Sequence, residues 1–339
     1  MQRKSLLYIG NKLSKKGSTI TSIETLGAFL TKEGYCVYTA SSKQNKLLRF
    51  FHMLFSTLRY SRKVSVVLID TYSTQNFYYA VAVAGLCRAL KLPYIPILRG
   101  GDLPKRLQGS KKKCNALFNG ATTNVAPSLY LQEAFLSEGY SNLTYIPNTI
   151  EIDNYPFLLR KKVLPKLLWV RSFAEIYNPQ LAIEVLSFLK EKGLEASLCM
   201  VGPEKDGSME KCKLKAKALD LDVTFTGMLS KQEWIALSKN YDIFINTTNF
   251  DNTPVSVIEA MALGLPVVST NVGGIPYLIE NEKDGLLVPP DNTEALANAI
   301  LKVIADETLT VSLAENARSK VEAFDWKKVK HSWLRLLNN

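Results

Sequence analysis

Short apolar runs alternate along the whole chain with longer stretches whose apolar residues recur at helical spacing. The runs read as strands over 5–10, 35–41, 64–70, 94–99, 121–126 and 143–147 in the first half. In the second half they fall at 167–173, 196–202, 223–227, 242–248, 267–271 and 285–288. Between them the helical pattern covers stretches such as 19–32, 75–90, 179–192, 208–219, 230–240, 254–263 and 292–305. Ser230-Lys-Gln-Glu233 has the spacing of a capping box and opens one of these helices. Strand–helix alternation of this kind builds parallel sheets covered by helices on both faces. Two sets of six strands predict two doubly wound α/β domains, with the break near 147–165, where Pro147, Pro156, Pro165 and the basic Arg160-Lys-Lys162 interrupt the pattern. Ligands of open parallel sheets sit at the carboxyl ends of the strands, so two such domains would share a cleft.

Composition narrows the classes. With 339 residues, 47% hydrophobic and 22% charged, the chain is a folded protein long enough for two domains. The longest near-continuous apolar run, Phe77 to Cys87, is too short to span a bilayer, and the first apolar stretch is too short for a signal-peptide core, so a cytoplasmic protein is expected. Five scattered cysteines with no Cys-x-x-Cys, and only two histidines, argue against a disulfide framework, a zinc site or a Ser-His-Asp hydrolase. The loop 10–19 looks superficially like a P-loop, but the order Lys15-Lys16-Gly17-Ser18 is wrong for one.

The net charge of +11 is unevenly divided: residues 1–165 hold 23 Lys/Arg against 8 Asp/Glu, and residues 166–339 hold 19 against 23. An anionic partner for the first half follows. Residues 43–63 carry six basic and no acidic residues among leucines and phenylalanines, and residues 104–113 carry five more basic residues. The first segment reads either as an ordinary amphipathic helix with a solvated basic face or as a helix lying on anionic lipid. No nucleic-acid motif accompanies these charges.

The chemistry concentrates in 242–288. A strand there leads through a polar loop to Pro254 and a helix, so the amides of Val255 and Ser256 open toward the strand end, where a diphosphate would be held. Asp251 and Glu259 lie eight residues apart and suit the hydroxyl pairs at the two sugar ends of a nucleotide-sugar. Glu259-Ala-Met-Ala-Leu-Gly-Leu-Pro-Val-Val268, Val272-Gly-Gly274 and Gly285-Leu-Leu-Val288 stand in order and at the right spacing to resemble the donor-binding region of the retaining GT-B glycosyltransferases of family four. The resemblance extends more weakly over the rest of the chain.

That resemblance implies a GT-B fold of two Rossmann-like domains, an acceptor-side domain over 1–153 and a donor-binding domain over 154–325, with a C-terminal helix over 326–339 returning to the first. It implies that Glu259 binds the ribose, and that Thr253, Val255 and Ser256 hold sugar and diphosphate by their main chain. Asp251 stands where the family usually has glutamate and would contact the donor sugar with a shorter reach. Arg171 matches the arginine that clamps the diphosphate, a task suited to a planar guanidinium. The family's lysine a few residues later is missing; Tyr177 and Asn178 occupy that region. Gly17 is the best match to the glycine-rich loop near the donor phosphate. The family histidine near the donor sugar is also missing; the stretch Arg99-Gly-Gly-Asp102 reads either as its substitute, through Asp102, Arg99 or the Gly100-Gly101 backbone, or as a plain turn. Pro147-Asn148 matches the family's interdomain Pro-Asn.

The expected activity is retaining, metal-independent transfer of a sugar from a nucleotide-diphosphate sugar, as co-substrate rather than cofactor, to a saccharide or lipid-linked acceptor of a bacterial surface polysaccharide. The expected partners include an anionic membrane surface, met through 43–63 and 104–113 on the inner face of the plasma membrane, and exclude nucleic acid. Two other readings are a nucleotide-sugar 2-epimerase-like isomerase and a non-catalytic nucleotide-sugar-binding partner of a transferase.

Overall fold

A computed structural model describes residues 4–13 and 21–338. Gly17 lies outside them. The chain divides into two compact units, residues 1–147 with 331–339, and residues 148–330.

The first unit holds β1 (Ser5–Ile9), α1 (Ser22–Lys32), β2 (Cys36–Ala40), α2 (Lys46–Tyr60), β3 (Val66–Thr71), α3 (Phe77–Ala89), β4 (Tyr94–Leu98), α4 (Leu103–Gly109), α5 (Lys111–Phe118), β5 (Asn124–Ala126), α6 (Leu129–Ser137) and β6 (Leu143–Tyr145). Its strands form one parallel sheet in the order β2-β1-β3-β4-β5-β6. The run Val66–Thr71 is buried throughout, as expected of a central strand covered on both faces. Helices close the core, where the Phe118 ring meets Phe135 edge-on at 4.8 Å between centroids.

The second unit follows with β7 (Lys166–Val170), α7 (Pro179–Glu191), β8 (Ser197–Val201), α8 (Ser208–Ala218), β9 (Val223–Gly227), α9 (Lys231–Leu237), β10 (Ile243–Asn246), α10 (Val255–Ala262), β11 (Val267–Thr270), α11 (Ile275–Leu278), β12 (Leu286–Val288), α12 (Thr293–Ala305) and α13 (Glu307–Val321). The last helix, α14 (Trp326–Asn338), begins in this unit and ends in the first, where Lys4 Nζ donates to the Asn338 carbonyl at 3.1 Å and Tyr35 Oη donates to Asn338 Oδ1 at 3.0 Å. The expected Ser230 capping box is present: Ser230 N donates to Glu233 Oε2 at 2.7 Å and Glu233 N to Ser230 Oγ at 3.3 Å.

This second sheet runs β12-β11-β10-β7-β8-β9, all parallel. The chain builds outward from β7 in one direction and then, from β10, in the other. The strand order therefore reverses between β7 and β10, which pair with Ile243 opposite Leu167 and Phe244 opposite Leu168. In open α/β sheets this reversal point is where the connecting loops part and leave room for a ligand. Apolar layers lie on each face, one around Trp169 and one around Phe244 and Met261. The second layer takes the buried face of α10, so that its first turn stands at the carboxyl ends of the strands. Arg160, expected in a charged linker, is buried instead. Its guanidinium donates to the carbonyls of Leu158, Ser238, Tyr241, Leu263 and Gly264, which ties the start of the unit to the end of α10.

Candidate functional site

The reversal point collects the residues that the sequence scatters. Arg171 directly follows β7, and Asp251 lies in the loop after β10; adjacency of the two strands brings them together across 80 residues. The guanidinium donates to Asp251 Oδ2, both side chains being mostly buried. The guanidinium carbon also lies 4.1 Å from the Tyr177 ring centroid. Tyr177 thus supplies a cation–π face where a lysine was missing, a contact worth about 0.5–2 kcal/mol. Arg171 Nε is buried without a hydrogen-bond partner, as is Ser256 Oγ. Such groups cost free energy until something bonds to them.

The loop 249–254 is held in shape from three sides. Asn249 N donates to the Ile176 carbonyl at 2.9 Å, Gly274 N to the Asp251 carbonyl at 2.9 Å, and Asn148 Nδ2 to the Thr253 carbonyl at 3.1 Å. A Cβ on Gly273 would stand 2.3 Å from Asp251 O, and one on Gly274 only 1.8 Å from Asn252 O. The Val-Gly-Gly motif is therefore a requirement of close backbone approach to this loop. Pro254 does not enter the helix's first turn as expected. It is the N-cap, its extended ψ of 122° delivering the chain into α10. The amides of Val255 and Ser256 that follow have no carbonyl within the helix to bond.

Glu259 lies on the second turn of α10 and is 4% exposed. It is not an open carboxylate, as the sequence suggested. Its Oε1 accepts from Tyr155 Oη at 2.7 Å and from the Lys231 ammonium. Burial of a carboxylate demands such partners, and α9 and the start of the unit provide them. The Lys231 side chain remains 43% exposed, so this cluster connects to solvent through Lys231. Burial, then the neighbouring Glu259 carboxylate, push the Tyr155 phenol far above its ordinary range and keep it a hydrogen-bond donor. Neither Tyr155 nor Lys231 was legible as a site residue, being 104 and 28 residues from Glu259 with no motif of their own.

The first-unit candidates are placed differently. Asp102 is the exposed N-cap of α4 and makes no capping bond. Arg99 donates through Nε to the fully buried Asp70 at 3.1 Å and is committed to the sheet.

Loops after β7 and β8 brace one another beside this region. Phe173 N donates to the Pro203 carbonyl at 2.8 Å, and Gly202 adopts φ of +152° with its Cα against the Arg171 carbonyl. A Cβ there would stand 1.7 Å from that oxygen. Gly202→Ala is expected to destabilise the fold by about 3 kcal/mol in denaturant titration and to displace the end of β7 that carries Arg171. Glu204 next caps the entry to α8, accepting from the amides of Lys205, Asp206, Gly207 and Met209 at 2.6–2.9 Å. Desolvation, the largest single influence, raises its pKa, but the four donors together outweigh it and hold the carboxyl below its ordinary value. A group depressed in the folded state stabilises above its unfolded pKa, and that stabilisation fades as pH falls through the folded value. The melting temperature should therefore drop as pH is lowered from about 5 to about 3, and Glu204→Gln should flatten that drop.

Two doubly wound parallel units define the molecule as a protein of the GT-B fold. The sucrose-phosphate synthase of Thermosynechococcus elongatus superposes with a TM-score of 0.81 at 17% identity, over 99% of this chain and 98% of that one. The HepE protein of Anabaena, solved with UDP and glucose, superposes with a TM-score of 0.77 at 18% identity, over 99% of this chain and all of the other. Residues 154–320 match the family model described as glycosyl transferases group 1. By sequence, the amylovoran biosynthesis glycosyltransferase of Erwinia amylovora is 29% identical over 73% of this chain, which spans 64% of that protein's length. The N,N'-diacetylbacillosaminyl-diphospho-undecaprenol alpha-1,3-N-acetylgalactosaminyltransferase of Campylobacter jejuni is 27% identical over 55% of this chain, which spans 46% of its length.

Proposed function

We propose that the protein is a retaining glycosyltransferase that moves a sugar from a nucleotide-diphosphate donor to an acceptor hydroxyl. The observation that carries this reading is the convergence of Arg171, Asp251 and the first turn of α10 at one reversal point, with the carboxylate of Glu259 on the next turn of the same helix. Arg171 and the amides of Val255 and Ser256 stabilise charge as it builds on the leaving diphosphate. Glu259 takes the ribose hydroxyls, and Thr253 takes donor oxygens through its main chain. Asp251 neutralises Arg171 until the diphosphate arrives and then turns to a donor-sugar hydroxyl. The bond from the anomeric carbon to phosphate oxygen breaks, and a bond to the acceptor oxygen forms on the same face. The acceptor's proton passes to the departing phosphate oxygen. Charge is carried by protein donors, so this route uses no metal.

The acceptor in this reading is a lipid-linked saccharide of bacterial surface polysaccharide synthesis, in keeping with the amylovoran pathway and the diphospho-undecaprenol in the two relatives' names. The protein would work in the cytoplasm, at the inner face of the plasma membrane. A screen of nucleotide-sugars for nucleoside diphosphate release, with membrane extract as the acceptor source, tests the proposal. Release that depends on the extract is expected. Interconversion of the sugar without release would assign an isomerase instead, and tight donor binding with no turnover a non-catalytic partner.

A further inference from the structure

Helix α2 is oriented against the usual rule for surface helices. Leu47, Leu48, Phe51, Phe55 and Leu58 are 70%, 62%, 62%, 58% and 51% exposed. At 100° per residue they occupy a single stripe about 100° wide. Arg49, Met53, Ser56 and Thr57, on the opposite side, are the buried positions. Two polar members of that inner face are held by hydrogen bonds: Arg49 Nη1 donates to the carbonyls of Lys43 and Gln44 at 3.3 and 3.4 Å, and Thr57 Oγ1 donates to that of Met53 at 2.9 Å. The inversion is thus built into the packing of the helix, and it leaves the most apolar face toward solvent.

Charge frames that face. Lys43, Lys46, Arg59, Arg62 and Lys63 are exposed along α2 and just beyond its two ends, and no carboxylate occurs from residue 34 to 69. Helix α3 packs against both α2 and α5, which places the two basic segments in one helical layer. Lys105, Lys111, Lys112 and Lys113 are exposed there, again with no carboxylate from 103 to 132. The Lys113 ammonium lies 4.7 Å from the ring centroid of the half-exposed Tyr78 on α3. An apolar stripe ringed by cations is complementary to anionic head groups over acyl chains. A second copy of the same face would instead bring two cationic rims together.

We propose that α2, flanked by α4 and α5, is a docking surface for an anionic phospholipid membrane, with Leu47, Leu48, Phe51, Phe55 and Leu58 entering the acyl boundary. This deepens the function above by naming the side chains that meet the membrane. It rests on that reading for its purpose only.

The full chain is floated with phosphatidylcholine vesicles with or without about 30% phosphatidylglycerol. Flotation with the anionic vesicles alone is expected, and Phe51→Ser combined with Phe55→Ser should lower it by about 10-fold with an unchanged melting temperature. All four native tryptophans are 5% exposed or less. The tryptophan introduced by Phe51→Trp is therefore the exposed reporter, and brominated acyl chains should quench it. Absence of flotation, full binding by the double variant, or an unquenched reporter would overturn the proposal. A dimer that dissociates in the double variant without vesicle binding would also overturn it and give the face to a second copy. Nucleoside diphosphate titration of the same variants should be unaltered. Vesicle binding by a chain that binds no nucleotide would sink the transferase reading and leave this one standing.

Discussion

Glu259→Ala is expected to lower the affinity for a nucleoside diphosphate by at least about 100-fold in a calorimetric titration. Hydrogen bonds to a charged group are worth about 1.5–3 kcal/mol each, and a ribose placed on this carboxylate would lose two of them. The same change leaves the buried Tyr155 hydroxyl without its acceptor, which costs about 1–3 kcal/mol of stability. Glu259→Gln separates the two effects. The amide oxygen still accepts from Tyr155, so stability should hold while affinity falls by about 10-fold. A lower melting temperature with unchanged affinity in both variants would show that Glu259 only supports the fold.

The second large effect concerns the Arg171–Asp251 pair, where the two halves should behave oppositely. On the proposed mechanism Arg171→Ala would remove the main side-chain donor to the leaving group and should reduce kcat by about 10²–10³. Arg171→Lys should recover little of it, because an ammonium reproduces neither the two-pronged contact nor the stacking on Tyr177. Asp251→Ala frees the guanidinium from its partner. Nucleoside diphosphate should then bind about three- to tenfold more tightly, since the ligand no longer competes with a mostly buried carboxylate. Turnover of the intact nucleotide-sugar should fall all the same, because the proposed contact to the sugar hydroxyl would be lost. Weaker diphosphate binding in Asp251→Ala would refute the exchange.

The twelve strands, their parallel pairing and the two-unit division follow from local information. Short buried runs such as Val66–Thr71 and Val267–Thr270 fit strands covered on both faces, and their alternation with helices points to a parallel sheet without any contact map. The Ser230 capping box and the start of α10 are likewise local, because each is a constraint between residues a few positions apart, whereas Gly273 and Gly274 are required by the Asp251 and Asn252 carbonyls, which only the packed fold brings against them. The partners of the charged residues are not. Arg171 was legible as a strand-end cation, but its pairing with Asp251 depends on β10 lying beside β7. Glu259 was legible from its spacing to Asp251. The Tyr155 hydroxyl and the Lys231 ammonium reach it through separate elements whose approach no spacing encodes. The outward stripe on α2 shows the same division. Periodicity reveals that a helix has an apolar face, and only the packed fold decides which face the protein keeps for itself. Local spacing sets which atoms a segment can offer, whereas desolvation and charge pairing act between segments once the sheet has ordered them.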